Sequence, residues 1–301
     1  MTNRKASALM GALIADAAAL GLHWVYDVER ITNAVGQGSA AFVPLDIKHF
    51  ESKPIFFVHG ARKDGMLSQY GEVLALAMTS ILKHNGFTTQ TYQTDYAAHF
   101  GPGGQYQGYI DHPTRGTLAN IAREQLDPSG VDDDQHPALA TLPAIVARYG
   151  ADPAQIERAI KVTNVNDDAD HYGAIFAQTL AAVLSGTPLK DALKAAANAP
   201  DLQAALDTTE TSSTEYGAVT RRACHLPQGV PLSWHILNNS SSYQEAIEAN
   251  VLAGGDSCGR AIIVGALAGA AHGMKGIPHE WMLKLHNGSK HLEDATSFSS
   301  F

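Results

Sequence analysis

Residues 243–275 read YQEAIEANVLAGGDSCGRAIIVGALAGAAHGMK, and the fold is decided there. An amphipathic run stops at Gly254-Gly255-Asp256, and a second helix built almost entirely of small residues starts behind it. The paired glycines permit backbone angles that other residues resist, and Asp256 falls where a helix N-cap belongs. Gly265, Ala266, Ala268, Gly269, Ala270 and Gly273 leave almost no side-chain bulk, so other backbones can lie close against this helix. A cap alone would account for Asp256, since Asp is favoured at that position. It would not account for Cys258 and Arg260 in the first turn as well; Asp, Cys and Arg so close together read as a site.

The remainder of the chain agrees with a helical fold. Of 301 residues only 7% are aromatic, Ala and Leu abound, and Val/Ile/Thr alternation is scarce. No Pro- or Ser-rich linker divides the sequence, which implies one all-helical domain over 1–285 and a polar tail, 286–301, poorly ordered unless it docks. A net charge of −9 argues against nucleic acid or an anionic membrane as partner and leaves the oligomeric state open. The two cysteines, Cys224 and Cys258, lack metal-ligand spacing and suit a reducing, cytoplasmic setting. Arg4-Lys5 before ASALMGALIA resembles the start of a signal peptide, but Asp16 interrupts the run and no cleavage region follows, so an internal helix is expected. No stretch reads as the roughly 20 apolar residues needed to span a bilayer.

Along the chain, GALIADAAALG within residues 4–21 matches the small-residue style of GALAGAAHG, which suits two helices packed as central partners. Asp16 on the first of them needs a partner if buried. Leu22-His23-Trp24-Val25-Tyr26-Asp27 follows as a group of polar aromatics. Residues 35–64 read as a long loop over the bundle, and long ordered loops are often functional. Helical periodicity returns at Ser68 and ends at Asn85-Gly86; Gln69, Tyr70 and Glu72 lie in its first turn. Further helices are expected at 88–99, from Pro113, after 136, at 153–163, 169–186 and 188–207. Between the first two, GPGGQYQGYID places Tyr106, Tyr109 and Asp111 on a mobile loop able to fold over a ligand. GVDDDQH at 130–136 puts three carboxylates before a helix. Acidic first turns commonly favour the helix dipole, though three adjacent acids exceed that need.

Collected on one face, Asp256, Asp132–Asp134, Glu72 and Asp27 would line a cleft fit for a hard cation, for activating water or for a polyhydroxyl substrate. His23, Trp24, Tyr106 and Tyr109 would offer flat surfaces to a base or sugar. Cys258 near a helix start is an alternative nucleophile, its thiolate favoured there, although a small buried Cys is the commoner case.

GGDSCGRAIIVGALAGA resembles the C-terminal GGDTDT-type motif and following helix of the ADP-ribosylglycohydrolase superfamily. GALIADAAALG is similar to that family's N-terminal helix, and GMLSQYGEVLALAMTSIL to its G-x-x-T-D-D-T-x-M-A-L-A segment. ADAAALGLHWVYD, SQYGE, YQGYIDHPTR, DDDQ and GGDSCGR are closer still to a divergent branch, the J-type lens crystallins and selenoprotein J. The resemblance implies a multi-helix bundle whose cleft, in the family's enzymes, holds two magnesium ions and releases ADP-ribose from a protein side chain or small molecule. Where those enzymes carry Thr-Asp-Asp, this chain has Ser68, Gln69 and Tyr70, and Cys258 replaces the second Asp of the C-terminal motif. Asp256 remains as a metal ligand, with Ser68 a weak stand-in for Thr.

Two functions follow as expectations. In the first, the chain hydrolyses a ribosyl glycosidic bond of an ADP-ribosylated or small-molecule substrate. Asp256, an acid from Asp132 and Asp133 or their neighbour, and Glu72 act on water. His23 and Arg260 meet phosphate or developing charge, Tyr106 and Tyr109 stack, and Asp111 and Cys258 line the pocket. In the second, the same scaffold is a non-catalytic, crystallin-like or ligand-binding protein.

Overall fold

The computed structural model describes residues 3–50 and 57–301. Among them stand sixteen α-helices, five short 3-10 helices and two isolated β-bridges, with no strand, as the composition requires. The first part runs α1 (Arg4–Ala19), α2 (Val28–Val35), α3 (Gln69–His84), α4 (Thr89–Phe100) and α5 (His112–Ala122). Then come α6 (Leu142–Tyr149), α7 (Pro153–Ile160), α8 (Asp167–Leu184), α9 (Leu189–Ala196), α10 (Pro200–Asp207) and α11 (Ser213–Thr220). The last part is α12 (Leu226–Asn239), α13 (Tyr243–Ala253), α14 (Ser257–His272), α15 (His279–Lys284) and α16 (Gly288–Ser297).

The axis of the bundle is the pair α1 and α14, which lie against each other along their lengths. Their small residues allow this. A Cβ added to Gly11 would stand 2.4 Å from the Gly265 carbonyl oxygen, and one on Gly269 would stand 2.3 Å from that of Ser7. Backbone therefore touches backbone, and almost every residue of both helices is buried. Helices α8, α12 and α13 pack around α14, while α3, α6 and α16 pack on α1.

Two local expectations change. Arg4–Leu22 is a 19-residue stretch long and apolar enough, by length and composition, to cross a membrane; here it is the buried core helix, with its Asp16 hydrogen-bonded inside the protein. The polar tail is not loose, since α16 docks on α1 and α3. Leu292, Ala295 and Phe298 recur every three residues, and the last two are fully buried, so a sparse apolar stripe suffices to seat it. The segment 208–241, where Thr and Ser clusters and the Pro-bounded run LPQGVPLSWHIL change the character of the sequence, contains α11 and α12. Of the expected loop 35–64, residues 51–56 lie outside the described residues; Ala40, Ala41 and Phe50 of the described part are buried against the core.

Candidate functional site

The Gly-Gly-Asp turn forms as its sequence dictates. Gly254 and Gly255 have φ of 74° and 67°, and a Cβ on Gly255 would lie 2.0 Å from the Arg222 carbonyl oxygen, so glycine is required there. Asp256 caps α14, its Oδ1 accepting the Gly259 N–H at 3.2 Å. The carboxylate is wholly buried. Its Oδ2 accepts from Tyr70 Oη at 3.1 Å and from His136 Nδ1 at 2.7 Å. Burial pushes this carboxyl's pKa up, but His136 and the Arg260 guanidinium outweigh it and hold the group well below the usual carboxylate range. His23 Nδ1 stands 3.4 Å from Asp256 Oδ1, yet it accepts the Cys258 N–H at 3.2 Å and so carries no proton there. Burial lowers the His23 pKa to about 4, which agrees with a neutral ring.

A second buried carboxylate sits behind the first. Asp16 accepts from Ser68 N–H at 2.7 Å and from Ser68 Oγ at 2.5 Å, the partner its burial demands. Gly71 makes room, because a Cβ there would meet Asp16 Oδ2 at 2.3 Å. Burial lifts the Asp16 pKa to about 7 against the opposing Ser68 hydrogen bonds.

In front of Tyr70 lies a cavity lined by His23, Trp24, His59, Tyr70, Tyr109 and Asp111, together with Ser68, Gln69 and Tyr106. The cavity is partly open, and its free volume is ≈ 10 Å³, about one water molecule. Trp24 meets Tyr109 edge-on at 5.1 Å between centroids, and His23 lies 5.0 Å from His59. Asp111 caps α5, its Oδ1 accepting Thr114 N–H at 2.8 Å while its own N–H donates to Gln69 Oε1 at 2.8 Å. Arg62 fastens the wall: it donates to the carbonyls of Leu67 and Gln107 at 2.9 and 3.2 Å and lies over the Tyr106 ring at 5.0 Å.

His23, Tyr106, Tyr109 and Asp111, expected to bind substrate, thus come together. The acids do not share the cavity with them, and the expected common cleft of Asp256, Glu72 and Asp132–Asp134 is corrected: none of these lines it. Glu72 pairs with Arg62 at 2.5 Å and His99 at 3.2 Å. Asp132 is exposed and accepts from Asn166, Asp133 binds His112, and Asp134 binds His225. These bonds, rather than a helix dipole, explain the acidic run. Arg260 is spent inside the turn: it donates to Asn250 Oδ1 and to the carbonyls of Asn250, Gly254 and Arg222, so it braces the Gly-Gly-Asp turn and does not meet a phosphate. Cys258 is wholly buried, its thiol 3.5 Å from the Asp16 carbonyl, and burial raises its pKa well above normal. The helix-start argument for a thiolate loses to desolvation.

The residues do not fit two magnesium ions. Tyr70 Oη donates to the one acid that the metal motifs retain, and Ser68 Oγ is committed to Asp16. Among the described residues no group of three or more His, Cys, Asp or Glu is placed to hold a metal. Sequence reading missed His136 and His59. The first stood in plain view at the end of DDDQH, but its partner is 120 residues away. The second lies in the long loop, which was read as functional without a named residue.

The family model described as ADP-ribosylglycohydrolase matches residues 1–299. Crystallin J1A of Tripedalia cystophora is 26% identical over 318 aligned positions, covering 99% of this chain and 96% of that protein. Crystallin J1B of the same organism is 26% identical, covering 98% and 95%. A solved structure titled "ADP-ribosylglycohydrolase-related protein complex" superposes with a TM-score of 0.72 at 18% identity, over 98% of this chain and 96% of its own, a likeness of fold.

Proposed function

This chain belongs to the ADP-ribosylglycohydrolase family, and on that premise we propose that it binds a ribosyl-type small molecule, ADP-ribose or a conjugate of it, at the aromatic cavity, without the family's two-magnesium hydrolysis. One observation carries this reading: Tyr70 Oη and His136 Nδ1 both donate to Asp256 Oδ2. The carboxylate that would ligate a cation is neutralised by internal donors instead. Kinship with crystallins supports a scaffold used without catalysis.

Binding requires the loop carrying Tyr106 and Tyr109 to move outward, because the free space is ≈ 10 Å³. The aromatic walls then stack on a ring, worth of order 1 kcal/mol per contact. Hydrolysis of a ribosyl glycosidic bond is the second reading, and Asp111 favours it. Its carboxyl lines the cavity, and burial raises its pKa against the Thr114 and Gln69 hydrogen bonds, a shift in the direction a general acid needs.

Thermal unfolding with ADP-ribose, beside assays for ADP-ribose release from ADP-ribosyl-arginine and ADP-ribosyl-serine, separates these outcomes. The melting temperature rises with ADP-ribose, and no release occurs with or without magnesium. Magnesium-dependent release would overturn the binding-only reading; release independent of magnesium and lost in Asp111→Asn would establish the second one.

A further inference from the structure

Trp24 Nε1, His59 Nε2 and Asp111 Oδ2 are buried atoms with no hydrogen-bond partner among the described residues, and all three residues line the same cavity. A bare buried polar group costs about 1–3 kcal/mol, so three at one small cavity mark a shape that a polar group completes. His59 and Asp111 are 5% and 6% exposed, which leaves bulk water little access to them. Trp24 adds strain. Its φ is 69°, a left-handed conformation costing about 1–2 kcal/mol outside glycine. It is held by two 2.8 Å bonds, Trp24 N–H to the Gly255 carbonyl and Gly255 N–H to the Val25 carbonyl. Strain that the surroundings enforce is a feature of ligand sites, and here it fixes where the indole stands.

The three atoms also select the chemistry. An indole N–H only donates, an ionised carboxylate oxygen only accepts, and the Nε2 of a neutral imidazole does one or the other by tautomer. A cation would satisfy Asp111 and leave the indole N–H against a positive charge. An anion or a bare carbonyl would satisfy the N–H and lie against the carboxylate. A hydroxyl donates once and accepts twice, and answers all three. The ≈ 10 Å³ of free space at the cavity floor admits one oxygen and no ring.

We propose that the cavity floor is a hydroxyl pocket, in which one alcohol group of the ligand donates to Asp111 Oδ2 and accepts from Trp24 Nε1 and His59 Nε2, while Tyr106 and Tyr109 receive its carbon skeleton. The ligand class is a polyol or sugar, read by one hydroxyl. That this hydroxyl belongs to a ribosyl group rests on the function proposed above; the pocket itself does not.

Calorimetric titration of the full chain with ADP-ribose, methyl β-D-ribofuranoside and its 2-deoxy and 3-deoxy forms, with glycerol and ribitol alongside, tests both statements. The ribofuranoside binds about ten- to a hundredfold more tightly than one of its deoxy forms, the ratio expected when a charged partner loses its hydrogen bond. Asp111→Asn, which keeps a good helix cap, and Trp24→Phe each remove most of that preference. His59→Gln, placed on a loop, serves if either variant fails to fold. Equal affinity for all three furanosides overturns the hydroxyl pocket and leaves ribosyl binding standing. Polyol binding that Asp111→Asn abolishes, without binding of any ribosyl compound, overturns the ribosyl reading and keeps the pocket. No binding of any of these compounds overturns both.

Discussion

At the scale of the residue, the chain turns on a tyrosine standing where a carboxylate is expected. Tyr70 donates to Asp256 in a place sealed from water, so Tyr70→Phe strips one hydrogen bond from a buried anion and lowers stability by about 1–3 kcal/mol, read from the urea midpoint. An unchanged midpoint would mean that the bond is not made. Two other buried groups set the pH response with opposite signs. His23 has a folded pKa of about 4 against 6.5 unfolded, so between those values the unfolded chain holds the extra proton, and stability is lost as pH falls. Asp16 has about 7 folded against 3.8 unfolded, so the folded chain holds the extra proton, and stability is lost as pH rises. Between pH 4 and 6.5 the two nearly cancel. His23→Asn, whose amide oxygen can replace Nδ1 as acceptor for Cys258 N–H, removes the first slope, and Asp16→Asn removes the second. Chemical denaturation at several pH values should show stability changing by up to about 1.4 kcal/mol per pH unit relative to the parent, downward with rising pH in the first variant and upward in the second. Parallel curves for all three proteins would refute the assignment. Of these groups, Asp256 as cap and Asp16 as a partnered core acid were legible in the sequence. The donors to Asp256 were not, because α3 and the 3-10 helix starting at His136 meet it only in three dimensions.

At the scale of the element, small residues make α1 and α14 legible as partners in the sequence itself. Gly265→Ala drives a methyl to 2.5 Å from the Gly11 carbonyl oxygen, backbone that cannot turn aside as a side chain would. A loss of about 1–3 kcal/mol is expected, although the same change on an exposed helix would be stabilising. A gain in melting temperature would show that the pair has slack. Helix α16 was not readable, since a polar helix with three apolar positions looks like a tail until its neighbours are known. Phe298→Ala should destabilise by about 3–5 kcal/mol in the same assay, and a neutral effect would mean that the docking is marginal. The boundaries of α3 and α4 were legible to within a residue, whereas α8, expected at 169–186, runs Asp167–Leu184 because Asn166 caps it two residues earlier. Helices α11 and α12 were not legible in 208–241, where Pro231 stands inside the second of them.

At the scale of the whole molecule, the fold was legible because packing style and motif order run the length of the chain. The site was half legible, and the reason is physical: aromatic residues near helix exits announce a surface, but acids announce only charge. Glu72, Asp133 and Asp134 each found a local cation or imidazole, which no spacing rule reveals. One consequence lies in the wall of the cavity. The Arg62 guanidinium ties Leu67, Glu72, the Gln107 carbonyl and the Tyr106 face together, so admitting anything larger than water means undoing a latch first. For the binding proposed above, the expected outcome is a two-stage capture in which the observed association rate levels off at high ligand concentration, limited by unlatching. Arg62→Lys, unable to span the same fork of acceptors, should raise that plateau in stopped-flow fluorescence. Under the proposed binding role, a bound molecule leaves only when the Arg62 latch opens again, so departure as well as entry is governed by the wall.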